Sequence, residues 1–372
     1  MLDVVKQIAE EVIKPLAAEI DREKRFPEEA FEALGKTGLL GLLVPKEWGG
    51  LGGTLSDLAA ATEIIAQYCG STAMCYLMHS CGTMVITAKG NDEQKNRYLH
   101  AIAEGMKIGT LAFSETGTGV HFYTPEIQAR SEGEHFRLNG KKSFVTNGNH
   151  ADFLIVLTNS SSASAGLNMF IVDTDCPDVK FEGSWEGIGL RGNNSIGLSL
   201  NNVKVAKENL VGAEGDGLEI IFQVIAPTFI LGVSGVNAGL ARGAYTAALE
   251  HAKTRTYADG RALAEIQAIQ FYLSEMFGSV ESASLFVHDA ARKALRGEEA
   301  AILNVMQAKV IASESAIRVT NLAMQVCGGK GYTQALPTER FLRDARAGAV
   351  MGPTTEVLKE WVGKSVAGVP LF

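Results

Sequence analysis

Two segments of the chain combine glycines with small polar side chains, a pattern suited to a loop that closes around a phosphate-bearing ligand. Residues 112–119 read AFSETGTG and residues 325–332 read QVCGGKGY. Small residues let backbone N–H groups approach a dinucleotide closely, so each segment is a candidate cofactor cradle. Each could equally be a tight turn with a helix C-cap, because glycine favours both. The residues alone leave the two interpretations open.

A third glycine-rich run, residues 187–192 (GIGLRG), matches the G-x-G-x-x-G pattern of dinucleotide-binding folds. That pattern needs a strand before it and a helix after it, so that the helix N-terminus faces a pyrophosphate. Residues 195–200 (SIGLSL) alternate like a strand instead. We therefore predict a turn at 187–192.

The histidines give no sign of a metal centre. There are seven, without an H-E-x-x-H pair, and His79 and His121 are isolated in the sequence. We expect no bound metal, and we expect His79 to be a half-buried, hydrogen-bonded residue.

Charge and cysteine content argue against several classes of protein. Thirty-four lysines and arginines oppose 42 aspartates and glutamates, a net charge of −8, which is the wrong sign for binding nucleic acid through its phosphates. The five cysteines form no C-x-x-C pair, so we predict reduced thiols. The N-terminus lacks the apolar core of a secretory signal. The longest apolar stretch, 220–236, contains Gln223, Pro227 and Thr228 and is predicted to fall short of a membrane span. We expect a cytoplasmic protein.

The elements that position these segments follow a helix–strand–helix order. Apolar residues recur every three to four positions from about 3 to 103 and again from about 218 onward, with long helices predicted over 238–253, 266–291 and 300–324. Between 107 and 215, short apolar runs bounded by turn residues predict strands. We expect an α+β protein with an N-terminal helical domain (1–106), a middle β domain (107–215) and a C-terminal helical bundle (216–372).

Two connections are predicted inside the β domain. Asn139 and Gly140 both tolerate positive φ and separate the runs 135–138 and 142–146, which indicates a hairpin turn. Residues 160–166, rich in Ser and Ala, indicate an exposed loop.

Nearly the whole chain resembles, in order, the flavin-dependent acyl-CoA dehydrogenases. Residues 114–119 (SETGTG) are similar to that family's T-E-P-G-A-G-S-D signature, and residues 144–148 (FVTNG) are similar to its W-I-T-N-G strand. Its C-terminal signature is matched, with the same spacing, by Gln325, Gly328, Gly329, Gly331, Tyr332, Pro337, Arg340, Arg343 and Asp344. The resemblance implies a middle β-barrel or sandwich domain and a C-terminal four-helix bundle.

The resemblance also implies FAD, bound between the β domain and the helices with its isoalloxazine next to an acyl thioester. It implies that Ser114 contacts the flavin pyrimidine, that Thr146 contacts the N5 region and that Phe144 covers the ring. Arg255 and Gln325 would reach the cofactor of a neighbouring subunit, which implies a homo-oligomer, usually a tetramer. The FAD-binding positions implied in this way are Phe113, Ser114, Gly119, Phe144, Thr146, Arg255, Gln325, Gly328, Gly329 and Thr354.

The sequence departs from the family pattern where the catalytic base is expected. Gly352, in the run MGPT, stands where the family usually carries a glutamate in an E-G-T motif. A minority of members place the base at a position that corresponds to Thr228 or Phe229, and neither is acidic. Val120 and His121 replace the S-D of the first signature, which removes one hydroxyl expected at the FAD diphosphate.

Removal of the α-proton of a thioester requires a base within hydrogen-bond reach while hydride leaves the β-carbon. One interpretation is that the base lies elsewhere, with His121, Tyr123 and His79 as candidates. Another is that the reaction needs no such base. Gly352 would also leave room for a bulkier acyl group.

We expect α,β-dehydrogenation of an unusual acyl thioester, linked to CoA or to an acyl carrier protein, with electrons passed to an electron-transferring flavoprotein. Two alternatives stay open. One is a flavin enzyme of the same fold that performs monooxygenation or elimination, and the other is a non-catalytic binder of flavin or acyl thioester.

Overall fold

A computed structural model describes residues 1–160 and 166–371. The first 106 residues are helical, as predicted, and two of the helices begin at capping boxes. Thr54 and Asp57 exchange hydrogen bonds at one start, and Asn91 and Gln94 do so at another; such caps satisfy N–H groups that have no partner within the helix. The helices are α1 (Leu2–Ile8), α2 (Lys14–Glu23), α3 (Glu28–Lys36), α4 (Leu55–Ala66), α5 (Gly70–Lys89) and α6 (Asp92–Ala103), with a π-helical stretch at Ala9–Ile13.

The middle of the chain forms one curled sheet, which has seven strands within the described residues. Its order is β1-β4-β2-β3-β7-β6, and β5 pairs with β4. β1 and β2 run parallel to β4, and the remaining pairs are antiparallel. The strands are β1 (Gly109–Ala112), β2 (Gln128–Glu132), β3 (His135–Val145), β4 (Phe153–Ser160), β5 (Leu167–Asp173), β6 (Val179–Glu182) and β7 (Ile196–Ala206).

Strand β4 separates two hydrophobic cores. Phe153, Ile155 and Leu157 pack into the large core shared with the helices. Leu154 and Val156 face the smaller core of the sheet itself. Because successive side chains of a strand point to opposite faces, a continuously apolar strand can serve both. The sheet is therefore seated directly on the helical domains.

The predicted hairpin at Asn139 and Gly140 is wrong. β3 runs unbroken through both residues, and Asn139 lies opposite Gln128 of β2. Gly140 instead follows a register shift against β7 that begins after Leu138. The turn between β2 and β3 lies at Gly133, whose φ is +67°. Pairing with strands on both sides outweighs the local turn preference of Asn-Gly.

Other predictions in this domain have different outcomes. The turn at 187–192 and the strand after it are both observed. Most of the predicted loop at 160–166, namely residues 161–165, lies outside the described residues.

The C-terminal helices are longer than predicted. α8 begins well before residue 238 because Pro227 falls in its first turn, where proline is tolerated. α8 lies at the centre and packs against α4, α9 and α10. The helices are α7 (Gly217–Ile220), α8 (Ala226–Thr254), α9 (Gln267–Arg296), α10 (Ala301–Gly331), α11 (Thr338–Val350) and α12 (Thr355–Ala367).

One helical run, Gly217–Thr254, is long and apolar enough to cross a membrane by length and composition. The expectation that Gln223, Pro227 and Thr228 make this stretch too short for a membrane span is therefore wrong as far as length and composition go. However, 67% of its most apolar window is buried inside the protein, which is typical of the central helix of a packed domain.

A buried cluster on α11 ties the three parts of the chain together. Arg343 donates to both carboxylate oxygens of Asp21 in α2, at 2.9 and 2.6 Å. Asp344 accepts the N–H of Leu190, in the turn at 187–192, at 2.6 Å. Burial raises the pKa of Asp344 to about 6. These contacts fix the glycine-rich turn against the helices.

Candidate functional site

The first glycine-bearing segment starts where β1 ends and is tied to β3. The N–H of Ser143 donates to the carbonyl of Ser114 at 2.8 Å. Next to it, Lys142 Nζ lies 2.6 Å from Glu115 Oε1, and these two side chains are 0% and 3% exposed. The same Nζ donates to the carbonyl of Phe113 at 3.2 Å. The ion pair thus fixes Phe113 and Ser114 against β3.

All three ammonium protons of Lys142 have an acceptor, since Nζ also lies 2.6 Å from the carbonyl of Leu157. Glu115 accepts the N–H groups of Glu126 and Ile127 at 2.5 and 3.4 Å. Burial lowers the pKa of Lys142 to about 8, and the charge of Glu115 opposes that shift. A buried ion pair is tolerated only when its remaining hydrogen bonds are satisfied in this way. Sequence reasoning missed this pair; the available signal was a lysine at an inward position of a strand.

At the end of β3 an aromatic ring is turned outward. Phe144 has φ of +55°, and the register against β7 shifts between Lys142 and Val145. Its ring is 66% exposed, and the ring of Trp185 meets it edge-on at 6.1 Å. A positive φ is rare for an aromatic residue, and strain of this kind is concentrated at ligand sites. The geometry indicates a surface to be covered by another apolar group.

Two residues further on, Thr146 lies at the junction of three strands. Its Oγ1 is 2.6 Å from Ser195 Oγ, just before β7. Its carbonyl accepts the hydroxyl of Thr110 in β1 at 2.7 Å. Together with the bond between Ser143 and Ser114, these contacts bring the two predicted flavin-contacting segments to one edge of the sheet.

The second glycine-bearing segment ends α10 and is open to solvent. Gly328 has φ +56° and ψ −144°, which interrupts the helix. Gln325, Gly328 and Gly329 are exposed, and a Cβ placed on either glycine would meet nothing within 4 Å. At Gly328 it is the backbone conformation, and not a close neighbour in this chain, that requires glycine. The backbone here is accessible to a ligand.

A group of basic residues lies close to this segment. Arg255 follows α8 and stacks over Tyr257 at 5.4 Å. The pKa of His251 is lowered by burial and then by the charges of Lys330 and Arg255, so these side chains are neighbours. Within residues 1–160 and 166–371, no hydrogen bond or ion pair joins Arg255 or Gln325 to the first segment.

Among the three candidate bases, His79 is committed to the fold. Its Nε2 donates to the carbonyl of Leu40 at 2.9 Å, and its Nδ1 accepts the N–H of Gly109 at 3.1 Å. The side chain is fully buried, rather than half-buried as expected, and burial lowers its pKa to about 4. His79 is therefore neutral at pH 7, and its two ring nitrogens join α5 to Leu40 on one side and to β1 on the other.

His121 and Tyr123 form a pair just after the first glycine-bearing segment. His121 Nδ1 lies 3.1 Å from the hydroxyl of Tyr123. Both side chains line a cavity of about 190 Å³ against Glu360 and Trp361 of α12. The cavity places an imidazole and a phenol beside a carboxylate, a combination able to accept and relay a proton.

Phe122, between those two residues, contacts the C-terminal segment instead. A Cβ built on Gly352 would lie 3.7 Å from Phe122 Cδ1, with no other heavy atom within 4 Å. The Phe122 ring also meets that of Tyr123 edge-on at 5.4 Å. Two residues after Gly352, Thr354 caps α12 by accepting the N–H of Val357 at 3.3 Å. The fold thus joins the segments around positions 122 and 352.

Models of known families match three consecutive parts of the chain. Residues 1–106 match the N-terminal domain of acyl-CoA dehydrogenases, residues 110–203 the middle domain and residues 217–367 the C-terminal domain.

Characterised relatives align over nearly the whole chain. The short-chain-specific acyl-CoA dehydrogenase of Clostridium acetobutylicum is 32% identical, over 96% of this chain and 94% of the relative. The cyclohex-1-ene-1-carbonyl-CoA dehydrogenase of Geobacter metallireducens is also 32% identical, over 98% and 96%. The 3-(aryl)acrylate reductase of Clostridium sporogenes is 34% identical, over 95% and 94%.

Solved structures agree with this alignment. Butyryl-CoA dehydrogenase from Megasphaera elsdenii has a TM-score of 0.93 at 28% identity and covers 98% of this chain and 97% of its own. A chain from the structure of the electron transferring flavoprotein of Acidaminococcus fermentans has a TM-score of 0.93 at 29% identity, over 98% and 96%.

The helical, sheet and helical parts, with an outward aromatic ring and hydroxyls at their junction, define a flavin-dependent oxidoreductase. The chain belongs to the acyl-CoA dehydrogenase family. Enzymes of this family are FAD-dependent and act on CH–CH bonds of acyl thioesters. The fold, the cofactor and the class of enzyme expected from the sequence are thereby confirmed.

The residues present fit FAD. The exposed ring of Phe144 offers an apolar plane, and the hydroxyl of Thr146 lies two residues away. The backbone at Gly119, with φ of +54° and nothing within 4 Å of a built Cβ, is open to a charged group. An isoalloxazine needs such an apolar plane with a few polar contacts at its edge.

Proposed function

We propose that this enzyme dehydrogenates the α,β bond of an acyl thioester whose acyl group is bulkier than a straight chain. One observation carries the proposal, namely that glycine stands at position 352 with the Phe122 ring 3.7 Å from where its Cβ would be. A glycine beside an aromatic ring would leave an apolar recess at the position where the family usually carries a carboxylate. Such a recess favours a planar or cyclic group, which packs on an aromatic face.

The names of two relatives support a ring-bearing substrate. Enzymes named for cyclohex-1-ene-1-carbonyl-CoA and for 3-(aryl)acrylate are 32% and 34% identical to this chain. The short-chain-specific relative, equally similar at 32%, argues for the same reaction on a smaller group. For the present chain, the glycine at position 352 favours the ring-bearing acyl groups over the short straight-chain group.

The cofactor would be held by two surfaces. Bound FAD supplies the hydride acceptor for the β-carbon. Phe113, Ser114, Phe144 and Thr146 orient it at the edge of the sheet, and Gly119 admits its charged groups. The remaining implied positions, which face a neighbouring subunit or the start of α12, are Arg255, Gln325, Gly328, Gly329 and Thr354.

The α-proton needs an acceptor other than a carboxylate at position 352. The contacts of His79 argue against that residue, because both of its ring nitrogens are already hydrogen-bonded. His121 and Tyr123 are better candidates, since they are mutually hydrogen-bonded and line a cavity next to α12. On accepting the α-proton of the thioester, the imidazole of His121 would become positively charged, with the Tyr123 hydroxyl as its hydrogen-bond partner.

For partners, we infer a CoA thioester or its carrier-protein equivalent as substrate and an electron-transferring flavoprotein as acceptor. Arg255 and Gln325 are exposed in the single chain, which supports a homo-oligomer, a tetramer by the family resemblance, in which they reach a neighbour's cofactor. We infer a cytoplasmic location, in line with the reduced thiols that the sequence predicts.

An anaerobic titration with a panel of thioesters tests the substrate class. We expect cyclohexanecarbonyl-CoA or 3-phenylpropanoyl-CoA to bleach the flavin, and butyryl-CoA and octanoyl-CoA to perturb its spectrum without bleaching. Rapid bleaching by butyryl-CoA would contradict the proposal. If no thioester bleaches the flavin, NADH-dependent oxygen uptake would support monooxygenation instead.

A further inference from the structure

A buried lysine lies under the segment that contains Gly352. Lys309 is in α10, and its residue is 0% exposed. Its Nζ donates to the carbonyl of Pro353 at 2.9 Å and to that of Met351 at 3.3 Å. These two carbonyls flank Gly352 on either side. A fully buried ammonium is costly unless it is hydrogen-bonded, so the two carbonyls are needed to stabilise the lysine in this position.

The rest of the segment is held from its ends. On one side, the N–H of Met351 donates to the carbonyl of Ala347 at 3.0 Å and so extends α11. On the other side, Thr354 begins α12. Among the described residues, no side chain other than Lys309 hydrogen-bonds to the carbonyl of residue 351 or 353. The place of Gly352 therefore depends on Lys309.

The same helix offers a contact that serves as a comparison. Ser313, one turn further along α10, donates to the carbonyl of Gly348 at 3.3 Å. This bond joins the same two helices but ends four residues before Gly352. Of these two side chains, only Lys309 hydrogen-bonds to residues 351–353, the segment next to Phe122.

A charged donor holds a carbonyl more firmly than a neutral one. The carboxylate that acts on the lysine is that of Glu356, whose charge opposes the lowering of the lysine pKa by burial. The ammonium is thus kept beside the two carbonyls by geometry and by a nearby negative charge.

We propose that Lys309 is a positioning residue that fixes residues 351–353 and thereby the recess between Gly352 and Phe122. This inference rests on the proposed function, in which that recess receives the acyl group. The lysine would not touch the substrate. Its effect would be on where the backbone places the acyl group relative to the flavin, and a small misplacement there is costly to the rate.

The test compares Lys309→Met, which keeps the volume but removes the donors, with Lys309→Arg, which keeps the charge. Ser313→Ala is the matched control on the same helix. Hydrogen exchange at residues 350–355, measured without any thioester, reports directly on positioning. We expect faster exchange in Lys309→Met, a smaller change in Lys309→Arg and none in Ser313→Ala.

A second readout is the flavin spectrum during titration with cinnamoyl-CoA, the unsaturated counterpart of 3-phenylpropanoyl-CoA, which cannot be dehydrogenated at the same bond. We expect Lys309→Met to keep its FAD content but to bind cinnamoyl-CoA at least about tenfold more weakly, with Ser313→Ala unchanged. Unaltered exchange and unaltered binding would overturn the positioning role. If wild type shows no response to any thioester, the proposed function fails, whereas the exchange result still decides the role of Lys309. If Lys309→Met does not fold, the change in hydrogen exchange at residues 350–355 in Lys309→Arg decides whether Lys309 has the positioning role.

Discussion

Lys142 and Glu115 form an almost fully buried ion pair, with Nζ 2.6 Å from Oε1, directly beneath the segment that begins at Ser114. The lysine is on β3, and Phe144 follows it by two residues on the same strand. The segment at Ser114 and the strand that carries Phe144 are thus joined through a buried charged contact. Its loss would lower the stability of the sheet and would weaken the binding of the cofactor.

We expect Lys142→Met to lower the free energy of unfolding by about 3–5 kcal/mol, because it leaves the Glu115 carboxylate buried without its partner. FAD should also dissociate faster, since the tether to the carbonyl of Phe113 is lost. Denaturant unfolding and the release of flavin fluorescence measure the two effects.

The neighbouring Lys141 is the control for this change. Its side chain is 74% exposed and pairs with Glu182 at the surface, so Lys141→Met should cost less than about 1 kcal/mol. Adding Glu115→Gln to Lys142→Met should recover part of the loss. Equal effects of the two lysine changes would contradict the importance of the buried pair.

His79 should make stability depend on pH in the acid range. Its pKa is about 4 in the folded protein and about 6.5 when unfolded. Between these values the unfolded chain binds more protons, so stability falls as the pH drops from 6.5 towards 4. At pH 5 the loss from this one residue is about 2 kcal/mol.

The variant His79→Gln keeps a polar side chain but does not titrate. The substitution weakens the hydrogen bonds to Leu40 and Gly109, so the variant should be less stable than wild type at pH 7.5. The difference in stability between the two proteins should shrink at pH 5. Urea midpoints of both proteins at the two pH values test this. A difference that is constant with pH would show that His79 is not the titrating group.

Gln325→Ala should weaken FAD retention while the fold survives, if Gln325 contacts the cofactor of a neighbouring subunit. The side chain is exposed and no intrachain hydrogen bond from it is seen within the described residues, so little else should change. The ratio of flavin to protein absorbance after gel filtration measures the effect, with the exposed Gln270→Ala as control. A monomer by light scattering that holds FAD tightly would argue against the cross-subunit contact.

Introducing a carboxylate at position 352 tests the proposed recess beside Phe122. Gly352→Glu alone should activate the enzyme poorly toward butyryl-CoA if its side chain extends toward the Phe122 ring, whose Cδ1 lies 3.7 Å from the Cβ position. Gly352→Glu combined with Phe122→Ala should reduce the flavin faster, approaching the gain of about 10²–10⁴-fold that a positioned base provides. Stopped-flow bleaching by butyryl-CoA measures both.

Phe122→Ala by itself is the comparison for that experiment. It should not activate the enzyme toward butyryl-CoA, and it should weaken binding of ring-bearing thioesters. If the single Gly352→Glu variant is already as fast as the double variant, Phe122 does not fill the space in question.

Periodicity and spacing along the chain determined much of this protein. The change from helical to strand patterning near residues 107 and 215 predicts the order of elements, since burial of one face dictates the repeat of apolar residues. The segments at 114–119, 144–148 and 325–332 gave the family and its flavin, because their glycines and hydroxyls follow one another at fixed offsets within short stretches of chain.

Tertiary structure decided what depends on contacts between distant positions. The Asn139–Gly140 turn did not form, because β3 pairs with β2 and β7 on either side. Lys309 reaches the carbonyls around Gly352 only because α10 packs beside α11, and Phe122 lies next to Gly352 although 230 residues separate them. Hydrophobic periodicity states that a residue is buried but not which partner it meets, and the partner is what gives a buried lysine or a glycine its role.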